Sequence, residues 1–168
     1  MNSMQEIRIE KITLNIGTGG PGEKLEKGIK LLNKITGMKS VPTTTKERIP
    51  TWEIRPGLQI GCKVTVRGKK AEELLGRLIK ANSDNVNSLK FDNQGNFSFG
   101  VHEYIDIPGV DYEASIGIIG LDVAVTLERP GFRIKKRAIK KRKISQSHRI
   151  TKEEAINFIN KKYNLEVN

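Results

Sequence analysis

Four segments of the chain alternate apolar and polar side chains, and this alternation restricts the fold more than any other feature. In residues 60–67 apolar side chains occupy every second position, and the positions between them hold Gly61, Lys63, Thr65 and Arg67. A period of two residues is typical of a β-strand that buries one face and exposes the other. Residues 8–16, 96–101 and 121–128 repeat the pattern. The sequence therefore predicts a sheet with one covered face and one free face.

Helical periodicity lies between and after these strands. Between a glycine-rich turn and Gly37, apolar residues recur every three or four positions, at Leu25, Ile29, Leu32 and Ile35. Residues 70–81 carry a second apolar stripe, and Thr151 with Glu154 forms a capping box that opens a third helix.

These elements predict the fold class. A length of 168 residues fits one domain. We expect an α+β fold in a single domain over residues 1–168, with a mostly antiparallel sheet and helices packed on one face. A basic arm at about 129–149 and a short closing helix at about 151–163 complete it.

The net charge indicates a polyanionic partner. Lysine and arginine number 30 against 19 acidic residues, a formal net charge of +11. Residues 133–149 contain nine of these cations and no acid, so this basic arm predicts contact with nucleic acid through Arg133, Lys135, Lys136, Arg137, Lys140, Lys141, Arg142, Lys143 and Arg149. A membrane surface is the alternative partner. No apolar run is long enough to span a bilayer, so we expect a soluble, cytosolic chain.

The free face of the predicted sheet offers a second RNA-binding surface. Its polar residues are suited to phosphates and 2′-hydroxyls, namely Lys11, Thr13, Asn15, Lys63, Thr65, Arg67, Asn96 and Ser98. None is aromatic, which argues against stacking on unpaired bases and favours recognition of folded RNA by shape and backbone. The alternative is an ordinary solvated face.

Residues 41–57 contain three prolines and no sustained periodicity, which predicts a long exposed loop or a distorted hairpin. Such loops are usually functional or disordered. A second RNA contact is possible here through Lys46, Arg48, Trp52 and Arg55, with Trp52 either exposed for stacking or partly buried.

Nothing in the sequence requires an enzyme. The glycines at 17, 19 and 22 match the spacing of a dinucleotide-binding motif. The strand before them alternates apolar and polar residues, whereas such a motif follows a buried parallel strand. We therefore favour a plain turn whose amides can contact a phosphate. A nucleotide-dependent enzyme using this turn is the alternative. His102 and His148 have no spaced partners, and Cys62 falls on an apolar strand face.

Acidic residues offer one metal alternative, a cluster of Asp106, Asp111 and Glu113, but their Pro108-Gly109 context fits a solvated or protein-contacting loop better. We expect no metal, no cofactor and no catalytic residue.

Four blocks of sequence resemble the L5 family of large-subunit ribosomal proteins. They are IEKITLNIGTG (9–19), IRPGLQIGCKVTVRG (54–68), FDNQGNFSFGVHEYIDIPGVDY (91–112) and GLDVAVTLERPGFRIKKR (120–137), which follow in order along nearly the whole chain. The early first strand, the basic arm and the closing helix resemble the archaeal and eukaryotic branch rather than the bacterial one.

The resemblance implies a non-enzymatic constituent of the large subunit in the cytoplasmic ribosome. It implies 5S rRNA binding in the central protuberance through the sheet side, at Lys11, Thr13, Asn15, Gly17, Lys63, Thr65 and Arg67. It also implies contact of residues 46–55 with the peptidyl-site tRNA, and of residues 105–119 with a small-subunit head protein. Other expected partners are large-subunit rRNA and neighbouring ribosomal proteins. The alternative is a general nucleic-acid-binding protein that uses its basic arm.

Overall fold

The computed structural model describes residues 2–82 and 86–163. Five strands form one sheet in the order β2-β3-β1-β5-β4, and every neighbouring pair is antiparallel. The strands are β1 (Arg8–Gly17), β2 (Val41–Thr44), β3 (Gln59–Val66), β4 (Phe97–Val101) and β5 (Leu121–Glu128). The helices are α1 (Glu23–Thr36), α2 (Lys69–Ala81), α3 (Arg133–Lys136) and α4 (Lys152–Tyr163). This architecture confirms the predicted α+β class.

The core lies between one face of the sheet and the helices. Ile12 and Leu14 of the central strand β1 are completely buried, and Thr13 between them is not. The buried side chains of β3 and β5 alternate in the same way and join α1 and α2 in one apolar cluster. The alternation predicted from the sequence is therefore confirmed in all four strands that it identified.

One irregularity in β1 interrupts this alternation. Ile9 and Ile12 are both buried although three positions separate them. The register against β5 shifts between Ile9 and Lys11, which leaves Glu10 as the extra residue of a β-bulge.

The helices begin and end close to the predicted positions. Gly37 adopts a left-handed conformation with φ of 62°, and its N–H donates to the Asn33 carbonyl. The capping box of α4 is formed in both directions: the Thr151 N–H donates to Glu154 Oε2 at 2.9 Å, and the Glu154 N–H donates to Thr151 Oγ1 at 3.3 Å. The Tyr163 hydroxyl donates to the Glu72 carbonyl at 3.1 Å and fastens α4 to α2.

Residues 41–57 form the distorted hairpin that was one of the two predictions for them. The edge strand β2 pairs with β3, with Val41 opposite Lys63. An edge position tolerates Pro42, which lacks an N–H to donate to a neighbouring strand. Beyond the strand, an antiparallel bridge between Ile49 and Ile54 closes a 3-10 turn.

The basic arm, residues 129–149, is held at both ends by one buried side chain. Arg129 donates from Nη1 to the Arg149 carbonyl at 3.0 Å and from Nη2 to Glu154 Oε1 at 2.7 Å. The Arg129 side chain is only 7% exposed. The arm is therefore a loop closed onto the first turn of α4, not a tail.

Two strand glycines allow a test of the packing at the sheet surface. At Gly61 an added Cβ would lie 2.6 Å from the Ile16 carbonyl oxygen and 3.1 Å from Thr43 Oγ1. At Gly100 the nearest atom, Asp122 Oδ1, would lie 3.8 Å away. We expect Gly61→Ala to lower the free energy of unfolding by about 1–3 kcal/mol, because the Ile16 backbone would have to shift.

Gly100→Ala is the matched control and should be neutral or stabilising by up to about 1 kcal/mol, since alanine loses less conformational entropy than glycine on folding. Chemical denaturation of the two variants measures the difference. Equal stability would contradict the close approach at Gly61.

The closure of the arm predicts a pH dependence. The Thr151 N–H and the Arg129 guanidinium lower the pKa of Glu154 from its ordinary value of 4.5, although partial burial opposes them. A carboxylate with a lowered folded-state pKa contributes stability that is complete above its unfolded-state pKa and is lost as pH falls through the folded-state pKa. Glu154→Gln should therefore lower the melting temperature by a constant amount above about pH 5, and this deficit should shrink below about pH 4.5.

Thermal melts of the protein and of Glu154→Gln across this pH range make the measurement. Glu153→Gln, one position away on the exposed side of α4, is the control and should show no comparable deficit. A Glu154→Gln deficit that persists unchanged at pH 3 would rule out the carboxylate as its cause.

Candidate nucleic-acid interface

The sheet register brings the predicted polar residues together on the face opposite α1 and α2. Thr13 of β1 lies opposite Thr65 of β3, and Asn15 lies opposite Lys63. On the other side of β1, Lys11 lies opposite Thr126 of β5. We call this surface the free face; it also carries Arg67, Ser98 and Gly17 at its margins.

The lysines of the free face make no salt bridges. Among residues 2–82 and 86–163, neither Lys11 nor Lys63 makes a salt bridge, and Lys63 is exposed. The exposed Asp122 lies opposite Asn15, an acidic contribution that the sequence analysis did not assign to this surface. The free face thus combines cations and hydroxyls with the carboxylate of Asp122, and Glu128 of β5 lies on the same face nearer the arm.

Asn96 differs from the other predicted residues of this surface because its side chain is already used. Its Oδ1 accepts from the Leu127 N–H at 3.3 Å, and its Nδ2 donates to Asp92 Oδ2 at 2.9 Å. The amide therefore joins the turn before β4 to the end of β5. Its geometry is that of a structural residue, which the sequence pattern alone did not reveal.

The bulge residue Glu10 connects the free face to the basic arm. Its carboxylate, on a side chain 8% exposed, lies 2.9 Å from Lys136 Nζ and 3.4 Å from Arg67 Nη1. Burial favours the neutral acid, but the hydrogen bond and charge of Lys136, together with the charge of Lys11, lower the pKa of Glu10. Lys136 Nζ also lies 2.6 Å from Glu128 Oε2. Arg67 and Lys136 are therefore partly neutralised within the protein.

The remaining cations of the basic arm fall into two groups. All nine cations of residues 133–149 are exposed, so the groups differ in position and not in burial. The first group is Arg133, Arg137 and Lys140, and Arg137 Nε donates to the Lys140 carbonyl at 2.9 Å. The others converge around one cavity between the arm and the sheet and are Lys135, Lys141, Arg142, Lys143 and Arg149.

The hairpin loop carries its predicted residues at the far edge of the sheet. Trp52 lies in the 3-10 turn and is 68% exposed, so the exposed alternative for this side chain is correct. Lys46, Arg48 and Arg55 are exposed as well. The Thr45 hydroxyl donates to the Arg55 carbonyl at 2.5 Å and helps to close the loop.

Residues 105–119 form an irregular segment that covers one end of the core. The Glu113 N–H donates to the buried Tyr104 hydroxyl at 3.0 Å, and the Glu113 carboxylate lies 3.1 Å from Lys34 Nζ. Tyr112 and Ile118 are 57% and 65% exposed. This segment presents apolar side chains to solvent beside an ion pair.

The glycine turn does not have the geometry of a dinucleotide site. Strand β1 is antiparallel to both neighbours, whereas that fingerprint follows a parallel strand. The Thr18 and Gly19 N–H groups donate to the Ile60 carbonyl at 2.9 and 3.1 Å, so the turn uses these amides itself.

Other candidate reactive groups are accounted for by packing. Cys62 is fully buried, and burial raises the pKa of its thiol to about 11, as expected for a core residue. His148 Nε2 lies 2.9 Å from the Pro130 carbonyl, within the arm. In the described part of the chain, no three His, Cys, Asp or Glu side chains gather as metal ligands, and no helix there has the length and apolar character to cross a membrane.

Comparison with known proteins agrees with this geometry. A family model described as ribosomal protein L5 matches residues 2–55, and a second model, for the C-terminus of the same ribosomal family, matches residues 59–158. The large ribosomal subunit protein uL5 of Nanoarchaeum equitans is 47% identical over 165 residues, which cover 98% of this chain and 97% of that protein. The uL5 of Sulfurisphaera tokodaii is 46% identical over 168 residues, 99% of this chain and 95% of that protein.

A third relative, the uL5 of Methanosphaera stadtmanae, is 42% identical over 167 residues, which cover 99% of each protein. The two family models together extend through both halves of the chain and include the basic arm and part of the closing helix. The chain belongs to the ribosomal protein L5 family, whose members are structural proteins of the ribosome and not enzymes.

Proposed function

We propose that this chain is a structural constituent of the large ribosomal subunit in the cytoplasm, where it acts as one domain that binds 5S rRNA with its free face. Family membership supports the ribosomal role. The observation that supports the choice of this surface is the row of threonines and of lysines without salt bridges on the side of the sheet opposite α1 and α2. Such groups donate to phosphates and 2′-hydroxyls without reading bases.

The other proposed contacts use surfaces around this face. The basic arm supplies phosphate contacts to large-subunit rRNA. The hairpin loop contacts the peptidyl-site tRNA. This contact is supported by the exposed Trp52 and by three exposed cations of the same loop, Lys46, Arg48 and Arg55. Residues 105–119 contact a small-subunit head protein, and the exposed Tyr112 and Ile118 support this contact. The remaining partners are neighbouring ribosomal proteins.

A general nucleic-acid-binding protein that relies on the basic arm is the second candidate, favoured by the cations that converge there. Titration against 5S rRNA and against a tRNA of similar length, at several salt concentrations, separates the two. Tight 5S rRNA binding at salt that releases tRNA supports the specific ribosomal role. Equal and steeply salt-dependent binding to both supports the general one.

The free face is tested by Lys11→Ala combined with Lys63→Ala. We expect weaker 5S rRNA binding and a salt slope reduced by roughly 1.4–1.8, because each lost phosphate contact removes about 0.7–0.9. Arg67 is left in place because it already contacts Glu10. A filter-binding titration at several salt concentrations gives both quantities.

The control removes the same charge from the helical side, as Lys30→Ala combined with Lys80→Ala. Both residues are exposed, one on α1 and one on α2. This variant should bind 5S rRNA with nearly the original slope. If both double variants change the slope equally, the free face is not the docking surface.

The loop is tested through Trp52, the only tryptophan in the chain, whose fluorescence therefore reports on this site alone. Stacking on a base should quench that fluorescence when tRNA is added. Trp52→Ala should weaken tRNA binding by about 1–3 kcal/mol, the usual contribution of a base stacked on an aromatic ring. Trp52→Phe should retain part of the affinity, and neither variant should alter the melting temperature, since the side chain is exposed. Unquenched fluorescence at saturating tRNA would contradict a stacking role.

A further inference from the structure

A cavity of about 600 Å³ lies between the basic arm and the end of the sheet where the turn before β4 meets the last residues of β5. Its apolar wall consists of side chains from β5, from the arm and from the start of the closing segment: Leu127, Phe132, Ile144 and Ile150. Leu127 and Ile150 are 2% and 1% exposed, so this wall is part of the folded core.

Cations line the rest of the cavity. Lys135, Lys141, Arg142, Lys143 and Arg149 surround it, and no acidic residue belongs to its lining. Within the described chain none of these five side chains takes part in a salt bridge, whereas the neighbouring Lys136, which does not line the cavity, has two. Cations gathered at one place make the local potential positive and attract anions.

The cavity is too large for a phosphate alone, and its cations share the lining with an apolar wall. Sites for small organic ligands have volumes of about 300–1,000 Å³ and place polar groups beside apolar side chains. Gln94 lies at the lining, and its side-chain amide makes no hydrogen bond with another described residue, so it can pair with a base edge. An apolar wall, a free amide and cations are the groups that bind the base and the phosphates of one nucleotide.

The cavity is also held in shape before any ligand arrives. Arg129 fixes the carbonyl of Arg149, and the Arg142 N–H donates to the Ile134 carbonyl at 3.3 Å. Asn96, on the sheet side, is fixed by Leu127 and Asp92. A preorganised site loses less conformational entropy on binding.

We infer that this cavity binds a single unpaired nucleotide of RNA, with the base against the apolar wall and Gln94 and the flanking phosphates on the cations. This inference rests on the proposed RNA-binding function but concerns a different surface and a different mode. The free face contacts a folded backbone, whereas the cavity takes one nucleotide turned out of its helix.

The experiment uses the full chain and adenosine 3′,5′-bisphosphate, which carries the base and both flanking phosphates of one nucleotide. Pyrophosphate is the comparison ligand without a base. Calorimetry gives affinities, and amide NMR shifts locate the bound ligand. We expect the bisphosphate to bind at least about fivefold more tightly than pyrophosphate, with shifts at Gln94 and Ile144, because the base adds contacts that phosphate groups cannot make.

Variants connect this binding to the cavity. Lys141→Ala with Lys143→Ala should weaken bisphosphate binding about tenfold or more, since two phosphate-facing charges are lost. Gln94→Ala should reduce the preference over pyrophosphate. The control, Arg133→Ala with Lys140→Ala, removes the same charge from the same arm outside the cavity and should change affinity less than about twofold. Thermal melts show that each variant is folded.

Three results would overturn the inference: equal affinity for bisphosphate and pyrophosphate, shifts confined to another surface, or no bisphosphate binding by protein that binds 5S rRNA. Titration of the same preparation with 5S rRNA separates this inference from the proposed function. Nucleotide binding in the cavity without 5S rRNA binding would overturn the proposed function alone.

Discussion

Strand β1 is hydrogen-bonded along both edges, so its aliphatic side chains can leave water only by packing under helices. Ile12 and Leu14 have no exposed surface, and the strands on either side of β1 place their own apolar side chains beside them. Covering this face with α1 and α2 stabilises the whole domain, since buried apolar area is the dominant favourable contribution to folding. The same arrangement leaves the polar side chains of β1 and β3 together on an open surface. The proposed docking face is thus a direct consequence of how the core forms.

Two buried or nearly buried charges determine how the basic arm joins this body. Arg129 closes the arm onto α4, and Glu10 holds α3 through Lys136. Both contacts neutralise charge, whereas the other cations of the arm make no salt bridge within the described part of the chain. In this way the protein separates cations that maintain structure from cations that remain available to an anion. The distinction matters for function because only uncompensated charges release counterions when RNA binds.

Strand and helix positions could be predicted from sequence because they depend on residues that are neighbours along the chain. The alternation in residues 60–67 and the stripe in residues 70–81 each specify one buried face, and both predictions are confirmed. Whether residues 41–57 form a loop or a hairpin could not be decided from sequence, since Pro42 and the short length of β2 conceal its edge position beside β3. The structural role of Asn96 could not be predicted either, because its hydrogen-bond partner Leu127 lies on β5, far from it along the chain.

By itself the sequence determined the one-sided strands, the amphipathic helices, the capping box and the concentration of positive charge in one segment, because each is a local pattern of side chains. Its resemblance to a family determined the expected ribosomal role. Only the tertiary structure decided which cations are neutralised and which converge. The partners of Lys136 and Arg129 are distant in the chain, and the cavity has walls from the sheet, the arm and the segment before α4. Charge and shape at such a site arise from packing, which brings together residues that no local pattern relates.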